Sequence, residues 1–200
     1  RHQCRMIRLT ALRSSPSCAR RRWLLTLGLA AAAATLAAPG VVPVTAKVLA
    51  DGIGPLRLGV ALGDAARRTV PLDPAAAMIG PGCDERDQVS VVLEFAGQPM
   101  SVMAMADGLR RIEEILAVPA AHAGVSLASA SACRAYGAEF AARLESQLGT
   151  ARMLPVEHRP VSSEFPFLFS GGARLVSRWF AGGRSCDLLL RFGGRDSQRQ

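Results

Sequence analysis

The sequence predicts an α+β fold, with two helix-plus-antiparallel-meander units forming one two-layer helix-on-sheet domain. Three observations predict it. The stretch Gln88 to Val118 falls into three β-rich runs cut by Ala96-Gly97-Gln98 and Ala106-Asp107-Gly108. Asp-Gly between apolar runs signals a hairpin, because a type I′ turn needs positive φ at both central residues. A long helical pattern follows, with Cys133, Tyr136, Phe140, Leu144 and Leu148 recurring at three- and four-residue spacing. Four β-like runs then close the chain: Ala151 to Glu157, Glu164 to Ser170, Ala173 to Phe180 and Arg184 to Phe192. Gly171-Gly172 and Gly182-Gly183 separate the last three as hairpin turns would.

The chain carries a formal net charge of +8 and a pI of about 10.5, which invites a nucleic-acid reading. The distribution removes it. Seven arginines (1, 5, 8, 13, 20, 21 and 22) and no acid precede Lys47, so beyond that point the 24 basic residues fall to 17 against 16 acidic ones. A near-neutral remainder has no electrostatic footprint for DNA or RNA.

Residues 1–46 have the three-part layout of an export signal. A positive region ends at Arg20-Arg21-Arg22, Trp23 to Ala38 is an apolar core rich in Leu and Ala, and Val44-Thr45-Ala46 offers an A-x-A-like cleavage site. Met6 is the expected translation start. The apolar stretch is shorter than the ~20 residues that span a bilayer, which favours cleavage over an inner-membrane tether by an uncleaved signal. Arg20-Arg21-Arg22-Trp23-Leu24-Leu25 also fits a twin-arginine signal, and an ordinary Arg-rich secretory signal is the other route. Cleavage after Ala46 leaves 154 residues, enough for one domain with no membrane span. The first unit then covers 47–119, the second 120–193, and 194–200 form a polar tail.

Element by element, Leu56-Arg57-Leu58 reads as a short strand and Ala61 to Arg68 as about two turns of helix ending before Pro71. Pro71 to Arg86 is a Pro/Gly/Ala loop carrying Cys83. In the first meander Val89, Val91, Leu93 and Phe95 share one face, the period-2 pattern of a half-buried strand. Glu113-Glu114 interrupts the alternation between Ile112 and Ile115 and predicts a bulge. In the second helix Glu139 and Arg143 form an i, i+4 pair, and Gly149 stops it. Gly124-Val125-Ser126-Leu127 echoes Gly59-Val60-Ala61-Leu62, a faint internal repeat.

The run Gly52-Ile53-Gly54-Pro55-Leu56-Arg57-Leu58-Gly59, followed by a short Ala/Asp helix, resembles the opening of small exported bacterial proteins of mostly unassigned function. Their fold resembles the β-lactamase-inhibitor protein and the small lipoprotein of the outer-membrane β-barrel assembly machinery. That family places a Thr or Ser before the helix as its cap, where this chain has Gly59-Val60-Ala61. The resemblance implies a non-enzymatic protein that binds another envelope protein, as an inhibitor, adaptor or assembly factor.

Cys83, Cys133 and Cys186 remain beyond the signal, and in an oxidising compartment three cysteines suggest one disulfide and one odd thiol. Cys186 alternates with Leu188, Leu190 and Phe192 on an apolar strand face, and Cys133 lies on the apolar face of the covering helix. That favours Cys133–Cys186, with Cys83–Cys133 as the competing pair. A nucleophilic cysteine would need His122 or His158 as a base, and no local signature surrounds any of the three thiols. Zinc would need ligands gathered without a Cys-x₂-Cys or His-x₃-His clamp, so no metal site and no cofactor is expected. Glu113-Glu114 reads as solvated charge, since strand neighbours point to opposite faces unless a bulge re-aims one. The remaining candidate is a sheet face on which Arg174, Val176, Arg178 and Phe180 alternate, joined by Arg191, since arginine beside apolar surface is typical of protein-binding patches. The chain is thus expected to be a periplasmic or secreted protein-binding module. The alternative is an exported small-ligand binder or hydrolase whose site assembles only in three dimensions.

Overall fold

The computed structural model describes residues 44–73, 79–82, 85–120 and 124–194. The core of the expected export signal, Cys83, His122 and the polar tail beyond Gly194 lie outside them. In chain order the elements are β1 (Val44–Thr45), β2 (Val48–Leu49), β3 (Gly52–Ile53), β4 (Leu56–Arg57), α1 (Leu62–Thr69), β5 (Gly80–Pro81) and β6 (Asp87–Phe95). There follow β7 (Gln98–Ala106), β8 (Ile112–Pro119), β9 (Val125–Ser126) and α2 (Ala130–Leu148). β10 (Ala151–Met153), β11 (Glu157–Arg159), β12 (Ser162–Phe169), β13 (Arg174–Phe180) and β14 (Ser185–Gly193) complete the chain.

The expected two-layer α+β domain of two helix-plus-meander units is overturned. The fold is mostly β: 11 strands form one sheet in the path order β1-β6-β7-β8-β14-β13-β12-β10, with only two α-helices among the described residues. Two physical facts account for the difference. The meanders β6–β8 and β12–β14 fuse edge to edge, Ala117 opposite Leu190 and Ile115 opposite Phe192, so neither forms a unit of its own. And α1 is eight residues long, too short to roof a meander whose strands run to nine. The ribbon β2-β3-β4 supplements it with Val48, Ile53 and Leu56, all buried.

One core lies on one face of this sheet. It gathers Val89, Val91 and Leu93 of the first meander, Phe167 and Phe169 of β12, and Leu188, Leu190 and Phe192 of β14. Phe140, Leu144 and Leu148 of α2 close over them, and the Phe95 and Phe140 rings stand 6.4 Å apart. α2 comes close because Gly137 presents no side chain: a Cβ there would stand 2.3 Å from Ser177 Oγ on β13. Ser129 caps the helix through its side chain, and Gly149, at φ 81°, ends it. The Cys133–Cys186 disulfide staples α2 to β14 across a Cα separation of 5.5 Å.

Local readings hold in part. Ala96 and Gly97 both have positive φ (49° and 78°), as a two-residue primed turn requires. The Asp107-Gly108 turn is different. Its left-handed residue is Arg110 (φ 57°), and Asp107 Oδ1 accepts from the backbone N–H of Leu109 and Arg111, so an Asx turn replaces the two-residue loop. The bulge falls where expected: Met105 pairs with Glu114 and Ala106 with Ile112, which leaves Glu113 as the extra residue. Arg143 forms no ion pair with Glu139. It donates to the Ala96 carbonyl at 3.1 Å, tying α2 to the first hairpin turn. Ala61 provides no side-chain cap for α1, and Leu62 N–H donates instead to the Arg110 carbonyl at 2.8 Å.

The expected cleavage point is not bare chain. Val44 and Thr45 pair in parallel with Leu93 and Glu94 of β6, and Ala46 N–H donates to the Glu94 carbonyl. Among the described residues no helix is long and apolar enough to cross a membrane.

Candidate functional site: the outer sheet face

Because strand side chains alternate, the residues between the core positions all face the other way. The register sets them in rows. One row runs Ser90, Met103, Leu116, Arg191, Arg174 and Leu168 across β6, β7, β8, β14, β13 and β12. A neighbouring row holds Asp187, Arg178, Glu164 and Glu157. No residue of these rows belongs to the hydrophobic core, although Glu164 is itself buried, as is Glu114, two residues before Leu116 on β8.

All three arginines singled out in the sequence stand on this face, and each meets a carboxylate. Arg174 Nη2 is 3.0 Å from Glu157 Oε1, Arg178 Nε is 2.8 Å from Glu164 Oε1, and Arg191 Nε is 2.7 Å from Glu114 Oε1. Glu157 faces Glu164 across the β11–β12 ladder, and Arg174 faces Arg191 across β13–β14. Like charges directly opposite destabilise a sheet. Here each is turned onto an opposite partner, so the face is a self-neutralising lattice rather than a bare cationic patch.

Glu164 is its most buried member, with a side chain only 6% exposed, and it is shared between Arg178 and Arg159, whose Nε lies at 3.0 Å. Two guanidinium groups thus flank Glu164 Oε1, the opposite charge that a buried carboxylate needs nearby. Arg178 also lies over the Phe180 ring, its Cζ 6.0 Å from the centroid.

The bulge organises a second cluster. Glu113 and Glu114 do not diverge as solvated charges: both converge on Arg86, with Nη1 2.8 Å from Glu113 Oε1 and Nη2 2.9 Å from Glu114 Oε2. The interrupted alternation around Ile112 predicts the bulge, but Arg86, 27 residues before Glu113, gives no local sign of the pairing.

Two concavities open on this face. A polar cleft of ≈ 290 Å³ is lined chiefly by Glu157, Arg159, Glu164, Arg174, Arg178 and Arg191. A larger groove of ≈ 520 Å³ is lined by Pro160, Val161, Ala181–Gly183 and by both Trp179 of the inner face and Phe180 of the outer one. Arg159 lines both. His158, the one described candidate base, is exposed and shares a hydrogen bond with Ser163 Oγ at 3.1 Å, on the side of β11 away from Glu157 and Arg159. Cys133 and Cys186 are bonded to each other and are no nucleophiles. Among the described residues no group of three or more His, Cys, Asp or Glu side chains could hold a metal ion.

The fold and this face define a mostly-β chain with one sheet face packed and the other carrying a lattice of ion pairs around apolar residues. Comparison with protein-family models, with curated proteins and with solved structures finds no match.

Proposed function

We propose that this chain is an exported, non-enzymatic protein-binding module of the bacterial envelope, of the inhibitor, adaptor or assembly-factor type, and that it binds through the outer sheet face. The observation that carries the reading is the mixed character of that face. Met103, Leu116, Val118 and Leu189 are half-buried apolar side chains outside the core cluster, flanked by charged groups already held in place. Apolar centre with a polar rim is the anatomy of a protein interface, and side chains fixed before binding lose little entropy on it. Export is supported by the signal-like N-terminus and by the Cys133–Cys186 bond, which persists in oxidising compartments.

The test is a crosslinking pull-down of the full chain from the envelope fraction of its native host, beside Met103→Lys/Leu189→Lys. Neither residue takes part in an ion pair, whereas reversing Arg178 would set two carboxylates together at a buried site. A discrete partner lost in the variant is the expected result. A partner retained by it moves binding to another surface, and no partner from either protein removes the reading.

A further inference from the structure

We propose that the polar cleft between β11, β12 and β13 receives an acidic side chain of the partner, and that the adjoining groove receives an apolar side chain two residues away in the same extended segment. This deepens the protein-binding reading and rests on it. Within the cleft, three guanidinium groups (Arg159, Arg174 and Arg178) share two carboxylates (Glu157 and Glu164). Arg191 is turned to Glu114. Among the side chains lining the cleft, guanidinium groups thus outnumber carboxylates, and a further acid, Asp187, stands opposite Arg178 across the β13–β14 ladder, away from Arg174. Arg174 Nε is buried and makes no hydrogen bond, the kind of donor whose desolvation goes uncompensated until an acceptor arrives.

The groove supplies the second half of the recognition. Val161 is 71% exposed at its rim. Phe180, two residues along β13 from Arg178, lines it, and Arg159 lines both it and the cleft. From Glu164 to Ser162 on β12, and from Arg178 to Phe180 on β13, is one step of two residues. Two strand residues span about 6.8 Å, the distance between same-face side chains at i and i+2 of an extended peptide. An acidic residue over Arg174 and Arg178 thus brings the residue two along over Phe180. The occupant is a segment of the form acidic-x-apolar.

The experiment titrates the full chain with acetyl-Gly-Glu-Gly-Leu-Gly-amide, following arginine Nε–H resonances by NMR, beside analogues with Gln for Glu and Ser for Leu. The expected result is a shift of the Arg174 Nε–H signal, with affinity weakened about tenfold by either change, the size of one lost charge-assisted contact for Gln and of one leucine side chain left unburied for Ser. Because both changes are in the peptide, no folding defect intervenes. An Arg174→Gln chain, with Glu157 still paired to Arg159, should lose the preference for Glu over Gln. Equal binding of all three peptides, or no shift at millimolar peptide, overturns the proposal. A partner captured in the pull-down but not displaced by the Glu peptide sinks the cleft assignment alone and leaves the broader reading standing.

Discussion

The two faces of the sheet are made by the same strands and read from alternate residues, yet they are built on opposite physics. On the inner face Leu188, Leu190 and Phe192 are buried in the core, and cohesion comes from apolar burial, close packing and a covalent staple. On the outer face Asp187, Leu189 and Arg191 alternate with them, and order comes from paired charges around half-buried apolar groups. The difference teaches that stability and recognition are separable here. Inner-face changes should unfold the chain, and outer-face changes should leave it folded but change what it binds.

The largest effect should come from Phe140→Ala, which empties the centre of the inner face and is expected to cost about 3–5 kcal/mol in denaturant unfolding. Next, Cys133→Ala/Cys186→Ala opens a loop spanning 53 residues and should cost about 2–4 kcal/mol, with the same loss on adding reductant to the parent protein. Gly137→Ala forces a methyl against Ser177, an overpacking expected to cost about 1–3 kcal/mol, less in a background carrying Ser177→Ala. Glu164→Gln belongs to the other face. Its guanidinium partners are 57% and 39% exposed, so screening limits the loss to about 1 kcal/mol, and that loss should shrink in high salt. A Glu164→Gln effect as large and as salt-insensitive as Gly137→Ala would erase the contrast between the faces.

The parts legible in the sequence were those with a local cause. Positive φ at Gly97, the Glu113 bulge, the period-2 run from Val89 to Phe95 and the apolar stripe ending at Leu148 all follow from a few adjacent residues. So does the cysteine pairing, since both thiols sit on apolar faces. The fusion of β8 to β14 does not follow, because it joins residues more than 70 apart and nothing in either strand marks an edge as paired. That one pairing turned the expected two units into a single sheet. The site was half legible for the same reason. Alternation put Arg174 and Arg178 on one face, but Glu157 and Arg159 come from a three-residue strand with no periodic signal, and nothing local marks the register that sets Glu164 of β12 opposite Arg178.

The most direct test of the central claim places a photo-crosslinking amino acid at Leu189 on the outer face and, separately, at Ala138 on the exposed side of α2, and irradiates living cells. Ala138 is exposed and Leu189 half-buried, and neither belongs to the hydrophobic core. One discrete adduct from Leu189 and none from Ala138 is the predicted result. An adduct from Ala138 alone, or none from Leu189, would contradict the assignment of binding to the outer face.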